Sequence, residues 1–318
     1  MPKEPKGMTH VGDILQKIVK PEHRPMTPIQ ERLLAPMEPA EDVRDILYQH
    51  SVLCQTSMPY RDPGAERLWL RKNGFIRMEL QAGRVLDPHL DEIVDVGLPF
   101  GPKPRLVLYH LNAEAIRKQS PLIELEDSLT AFVKRTLGLD VGGRTIKTVK
   151  EQLNRLSAAD FRLYAKHEHG AITVKGTVIE GLDLWVSKDD RQRVLWPSVV
   201  QFSQRYFESL VQHAVPLNEQ AVTRLSHSAM ALDVYTWLAQ RLHRVDPAKP
   251  AFIPWTALKE QFGHGYDRMD NFKRVFDKTL RQVAAVYREA KYNVDGKGML
   301  LMHSRPPVLK IMSITRGR

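Results

Sequence analysis

The chain has 318 residues, 42% of them hydrophobic and 26% charged, and carries a net charge of +10. That length predicts two globular units plus a tail, and a mean hydropathy of −0.36 fits a folded chain with a polar surface. An isoelectric point near 9.6 points to a polyanionic partner, nucleic acid first, whereas no apolar run of about 18 residues and no lipidation motif supports a membrane. The single Cys54 excludes an internal disulfide and a thiolate metal cage, and is expected to be a buried small apolar residue. The opening Met1-Pro2-Lys3-Glu4 lacks a signal-peptide core, so a cytoplasmic location is expected.

In chain order, residues 1–40 hold Pro2, Pro5, Pro21, Pro25, Pro28, Pro36 and Pro39 and are expected to form a flexible basic arm, with one or two helical turns over 11–19. Over 41–54, Val43, Ile46, Leu47 and Val52 recur at helical spacing and predict a helix, broken by Pro59 and Pro63-Gly64. Residues 67–71 and 75–80 alternate in polarity around Asn73-Gly74, which predicts a tight hairpin. Residues 41–97 are therefore expected to be a small helix and β-hairpin accessory packed on the next domain.

The remainder contains one order of elements twice. In the first copy, 98–215, a helix over 105–119 precedes a strand at 122–125, a helix capped by Ser128 and stopped by Gly138, a helix over 144–156 after Gly142-Gly143, and a hairpin of 161–166 with 172–178. Residues 183–186 add a possible strand, and a connecting strand and a helix around 197–213 lead onward. In the second copy, 216–310, a helix over 220–243 is followed by a strand at 252–255, a helix over 256–262, a long helix over 267–290, and a hairpin around Asp295-Gly296-Lys297-Gly298. Helix, strand, helix, turn, helix, hairpin is the winged-helix order. The expected architecture is α+β: two tandem winged-helix domains, the arm, the accessory and a basic tail at 311–318.

A recognition helix buries one face and offers the other to the major groove. In the first copy Ile146, Val149, Leu153 and Leu156 form the apolar stripe, leaving Arg144, Lys147, Thr148, Glu151 and Arg155 outward. In the second, Phe272, Val275, Phe276, Leu280, Val283 and Tyr287 form the stripe, leaving Lys273, Arg274, Asp277, Lys278 and Arg281. Arg and Lys suit guanine or phosphate, and Glu suits the cytosine amine. The hairpins add Arg162, Lys166 and Lys175, then Lys291 and Lys297. Tyr266 and Arg268 precede the second helix, whose N-terminus suits a phosphate.

Enzymatic readings find little support. His167-Glu168-His169 suggests a metal site, but it falls on a predicted hairpin turn without flanking apolar strands. Asp87, Asp91, Glu92 and Asp95 read as a solvated acidic loop, and no phosphate loop, nucleophile elbow or His-Glu-x-x-His motif occurs. No catalytic residue, metal or cofactor is expected.

Several stretches resemble the plasmid-encoded RepA replication initiators: Tyr48-Gln49-His50-Ser51-Val52-Leu53-Cys54, Gly97-Leu98-Pro99-Phe100-Gly101-Pro102-Lys103-Pro104-Arg105-Leu106, Gln152-Leu153-Asn154-Arg155-Leu156 and the helix over 272–287. The likeness spans roughly 41–307. It implies binding to directly repeated origin DNA, opening of an adjacent A·T-rich segment, and recruitment of a host initiator ATPase and replicative helicase. It further implies a monomer that binds repeats in equilibrium with a homodimer that represses its own promoter, dimerising through the first unit. The alternatives are a winged-helix transcriptional repressor without initiation activity and, behind it, a nicking initiator.

Overall fold

The computed structural model describes residues 26–38, 40, 42–87, 91–126, 128–167, 170–182 and 199–308. The turns expected at 11–19, the strand expected at 183–186 and the tail at 311–318 lie outside the described residues. Residues 26–38 are more regular than their proline content suggests. Pro28 opens helix α1 (Pro28–Leu34), where a proline has no amide bond to lose, and Thr27 and Gln30 cap each other reciprocally. Leu33 is buried, and Arg224 donates to the carbonyls of Ala35, at 2.6 Å, and Pro36. The expected flexible arm is thus docked over these residues.

The helix expected over 41–54 is instead a short 3₁₀ turn, Val43–Asp45, and strand β1 (Ile46–His50). Helical spacing was present, but a distant partner overrides it: β1 pairs antiparallel with a segment at 214–218, with Leu47 opposite Leu217. Ile46, Leu47, Gln49 and His50 are all buried, so both faces are covered. Side chains satisfy its free carbonyls, Asn112 donating to Tyr48 at 3.1 Å and Arg117 to Ile46 at 3.0 Å.

The expected hairpin at Asn73-Gly74 is present as β2 (Leu68–Asn73) and β3 (Ile76–Gln81), with Gly74 at φ 57°, a left-handed position that a side chain would strain. The acidic loop expected beyond it is a second hairpin, β4 (Arg84–Asp87) with β5 (Glu92–Asp95), where Asp95 pairs with Arg67 at 3.1 Å and Arg84 at 3.5 Å.

Helix α2 (Pro102–Lys118) leads to β6 (Leu122–Glu124), α3 (Leu129–Ala131) and a π-type turn over Phe132–Thr136, with Ser128 accepting from the Ala131 amide at 3.1 Å. Helix α4 (Gly143–Ala158) and the hairpin of β7 (Asp160–His167) with β8 (Gly170–Thr177) follow. Their pairing departs from the expected order. The hairpin joins the accessory in one sheet, β2-β3-β7-β8, while β6 pairs with β10 (Val199–Phe202) beside β9 (Ile179–Leu182). Helix α5 (Gln204–His213) and β11 (Ala214–Asn218) then return the chain to β1.

The helix expected over 220–243 is split. Asn218 caps α6 (Glu219–Leu225), and Ser228 caps α7 (Ala229–Arg241), both side chains accepting backbone amides. Strand β12 (Ala251–Pro254), α8 (Trp255–Phe262), α9 (Met269–Val286), β13 (Tyr292–Val294) and β14 (Gly298–Leu301) follow. Here the hairpin does close on its own first strand, in the order β12-β14-β13.

One hydrophobic cluster runs from Leu33 to Leu301, and α7 is buried from Ala229 to Gln240. The pairing of β1 with β11 and the packing of α2 on α7 cross the expected boundary at 215/216. At that crossing Arg105 meets Asp233 in a buried two-point pair of 2.6 and 2.8 Å, and its remaining donors reach the carbonyls of Gly101 at 2.7 Å and Met58 at 2.8 Å.

Asp233→Ala leaves this guanidinium buried without its carboxylate and is expected to cost about 3–5 kcal/mol in urea unfolding. Arg105→Met with Asp233→Leu recovers only part, because the Gly101 and Met58 carbonyls lose their donor. A second expectation concerns acid. Burial pushes His50 and His110 down to about 3, and His50 Nδ1 accepts the Val52 amide at 3.2 Å, which requires an unprotonated nitrogen there. The unfolded state therefore binds more protons below about pH 6.5. Stability is expected to fall from there towards pH 3, by up to about 1.4 kcal/mol per unit for each histidine, read from urea midpoints at several pH values.

Candidate nucleic-acid interface

Helix α4 begins at Gly143, with Gly142 at its N-cap, and buries Val149, Leu153 and Leu156, with Ile146 half-buried. The polar Gln152 on the same face accepts the Phe100 amide at 2.8 Å, which fastens the helix to the loop before α2. Arg144, Lys147 and Glu151 are exposed. Arg144 and Lys147 have no ion-pair partner among the described residues. Thr148 is half-buried and donates to the Arg144 carbonyl at 2.8 Å.

Arg155 is different from the sequence expectation. Its side chain is 15% exposed, stacks over Phe100, donates to the Leu98 carbonyl at 3.1 Å and pairs with Glu151 at 2.7 Å and Asp62 at 3.4 Å. A Cβ at Gly97 would come within 2.6 Å of the guanidinium, so the glycine is what makes room. Arg155 is a clamp between α4 and the loop rather than a free outward group, and it also occupies the Glu151 carboxylate expected to read cytosine.

Helix α9 buries Phe272, Phe276, Leu280 and Val283, with Tyr287 buried at its end and Val275 half-buried. Its remaining charges divide into two sets. Lys273 reaches inward to the Gly296 carbonyl at 3.2 Å and lies over the Trp255 ring, while Asp277 and Arg281 pair with each other. Arg274 and Lys278, one turn apart, are exposed and without an ion-pair partner among the described residues; Arg274 only touches Asn271, at 2.9 Å. Two cations therefore remain outward where five charged side chains were expected.

The adjacent hairpin is held from three sides. Trp255 donates to the Asp295 carbonyl at 2.8 Å, Lys273 holds Gly296, and the Asp295 carboxylate accepts the Lys297 and Gly298 amides at 2.7 and 2.9 Å. Those amides keep the Asp295 carboxyl below its ordinary pKa. Lys291 and Lys297 point to solvent. At the start of α9, Tyr266 packs on Phe272, and Arg268 pairs with Asp270 at 2.7 Å on the surface.

On the other hairpin Arg162 pairs with Glu79 at 2.8 Å and Asp160 at 3.7 Å. Lys175 stands opposite Arg162 in register, and its side chain lies outside the described residues. So do the side chain of His167 and all of Glu168 and His169.

Sequence reading missed Arg71. Alternation in β2 assigned it only to an accessory, yet its guanidinium lies over Trp69 at 4.1 Å in a cleft with Lys259 and His264, next to the start of α9. Its Nε and Nη2 find no acceptor. Only the approach of α8 to β2, invisible to local pattern, creates this cleft.

Arg155→Ala is expected to lower stability by about 1–3 kcal/mol, because charged hydrogen bonds to a fixed loop are lost. Arg274→Ala and Lys278→Ala are expected to change it by less than about 0.5 kcal/mol. Thermal and urea unfolding of the three variants separates the clamp from the free cations.

Among the described residues no helix is long and apolar enough to cross a membrane. No curated protein matches the chain. Two solved structures resemble it distantly: the crystal structure of RctB domains 2–3, at 10% identity and a TM-score of 0.47 over 79% of this chain and 94% of that one, and a crystal structure of selenomethionine derivatives of the same domains, at 10% identity and 0.46 over 89% and 99%. A family model described as plasmid encoded RepA protein matches residues 98–256, from the loop clamped by Arg155 to the first turn of α8, and stops before α9. With half of its length matched, the chain belongs to the family of plasmid-encoded RepA proteins.

Proposed function

We propose that this protein is a plasmid replication initiator that binds directly repeated origin DNA through two winged-helix units, without catalysing a covalent step. Helices α4 and α9 enter successive major grooves on one side of the duplex, about one helical turn apart, and each reads part of a repeat. Binding promotes opening of an adjacent A·T-rich segment and recruits a host initiator ATPase and replicative helicase, in the cytoplasm. A homodimer in equilibrium with the monomer represses its own promoter.

The observation that carries this reading is the division of charge on α9. Its inner cations are spent on the hairpin and on Asp277, while Arg274 and Lys278 stand exposed beside a hairpin braced at Asp295 and Gly296. Membership in the RepA family and a net charge of +10 support the same substrate. Arg144 and Lys147 on α4 supply the second contact.

The test is selection of bound duplexes from a random library at near-physiological salt, repeated at higher salt. One enriched motif long enough to cover two major grooves is the expected result, and Arg274→Ala or Lys278→Ala is expected to weaken binding to it by about tenfold or more. Binding that enriches no motif and fades with salt means phosphate attraction alone and defeats the reading. Incubating supercoiled DNA with the protein and divalent metal is expected to leave it intact; nicking with a covalent tyrosine adduct overturns the non-catalytic part.

A further inference from the structure

Among the described side chains, the four-stranded sheet β2-β3-β7-β8 buries one face. Trp69, Met78, Leu80, Phe161 and Leu163 pack into the core. The other face is organised in cross-strand rows set by register, Leu70-Glu79-Arg162 and Lys72-Arg77-Tyr164. The first row is internally neutralised, since Arg162 pairs with Glu79. The second is not.

Lys72 and Arg77 stand directly opposite each other, both exposed, with no carboxylate partner among the described residues. Like charges in that position destabilise a sheet. An anion between them turns the repulsion into attraction. Lys166 is exposed on the same face beyond Tyr164.

Apolar groups accompany these cations. Phe75, at the turn between β2 and β3, is 74% exposed, and Leu70 is 61% exposed. The turn is held in place, because the Phe75 carbonyl accepts the Lys166 amide at 3.3 Å. Tyr164 is half-buried in the row beside Arg77. Rings and cations alternating on a rigid sheet match a strand whose bases stack and whose phosphates pair. Duplex DNA keeps its base faces stacked inside, so they are not open to Phe75 and Tyr164 as those of a single strand are.

We propose that this outer sheet face is a binding site for single-stranded DNA, with Phe75 and Tyr164 as stacking platforms and Lys72, Arg77 and Lys166 as phosphate contacts. The site rests on the initiator reading and deepens it: a strand released by duplex opening is captured on a surface separate from the outer faces of α4 and α9.

The experiment uses the full chain and a fluorescent 20-residue oligothymidylate, with anisotropy followed against salt, beside a duplex carrying the selected motif. The wild-type protein is expected to bind both. Phe75→Ala and Tyr164→Ala are each expected to weaken binding of the oligonucleotide roughly tenfold, with duplex affinity unchanged within about twofold. Lys72→Gln with Arg77→Gln is expected to reduce the logarithmic salt slope for the oligonucleotide by about 1.4. Phe75 lies on an exposed turn, so Phe75→Ala carries the test even if Tyr164→Ala fails to fold. Binding of duplex alone overturns this proposal and leaves the initiator reading intact; binding of neither overturns both. A Phe75→Ala variant that holds the oligonucleotide like wild type also overturns it and leaves the face to a protein partner.

Discussion

The buried pair of Arg105 and Asp233 is the constraint on which the packing of α2 against α7 depends. Two charges removed from water are stable only if their geometry is good and every remaining donor finds an acceptor. Arg105 achieves this with the two Asp233 oxygens and the carbonyls of Gly101 and Met58. Those four acceptors come from α7, from the residue before α2, and from the loop that follows β1. One guanidinium therefore fixes α2, α7 and the loop after β1 against one another, and alternative packings of α2 on α7 leave a charge unpaired. An apolar contact of the same size has no such directional requirement.

The same logic sorts the surface. A cation that finds a carbonyl or carboxylate on a neighbouring element becomes part of the scaffold, as Arg155 does with Leu98 and Lys273 with Gly296. A cation left over becomes available. On both helices several flank charges are consumed by the fold, and the exposed cations left without an ion-pair partner among the described residues are Arg144 and Lys147 on α4 and Arg274 and Lys278 on α9. The stapled hairpin beside α9 and the Gln152 and Arg155 clamps on α4 fix both helices to their neighbours.

Local pattern carried most of the helices and hairpins. The apolar stripes of α4 and α9, the Asn73-Gly74 turn and the caps at Ser128 and the glycine ends are short-range features, each legible within a dozen residues. What sequence could not reveal is pairing over long separation. Nothing in residues 46–50 announces a partner at 214–218, so helical spacing prevailed there over the strand that the fold imposes. Arg155 failed for the same reason: helical phase placed it outward, and only the approach of the loop at 97–100 turned it inward. At Thr27 and Pro28 the capping box that begins α1 is a short-range signal that the surrounding prolines mask.

The two copies of one element order end in unlike surfaces because their hairpins pair differently. In the second unit β14 closes on β12, which keeps the hairpin short and ties it to α8 and α9. In the first, β7 is already paired with β3, and the hairpin becomes part of a four-stranded sheet. A narrow braced hairpin suits one contact on the flank of a duplex groove. A broad sheet with an uncompensated cationic row and an exposed ring suits an extended, flexible polyanion. Repetition of the order of elements thus need not repeat the surface: strand pairing decides whether the last hairpin stays narrow or joins a broader sheet.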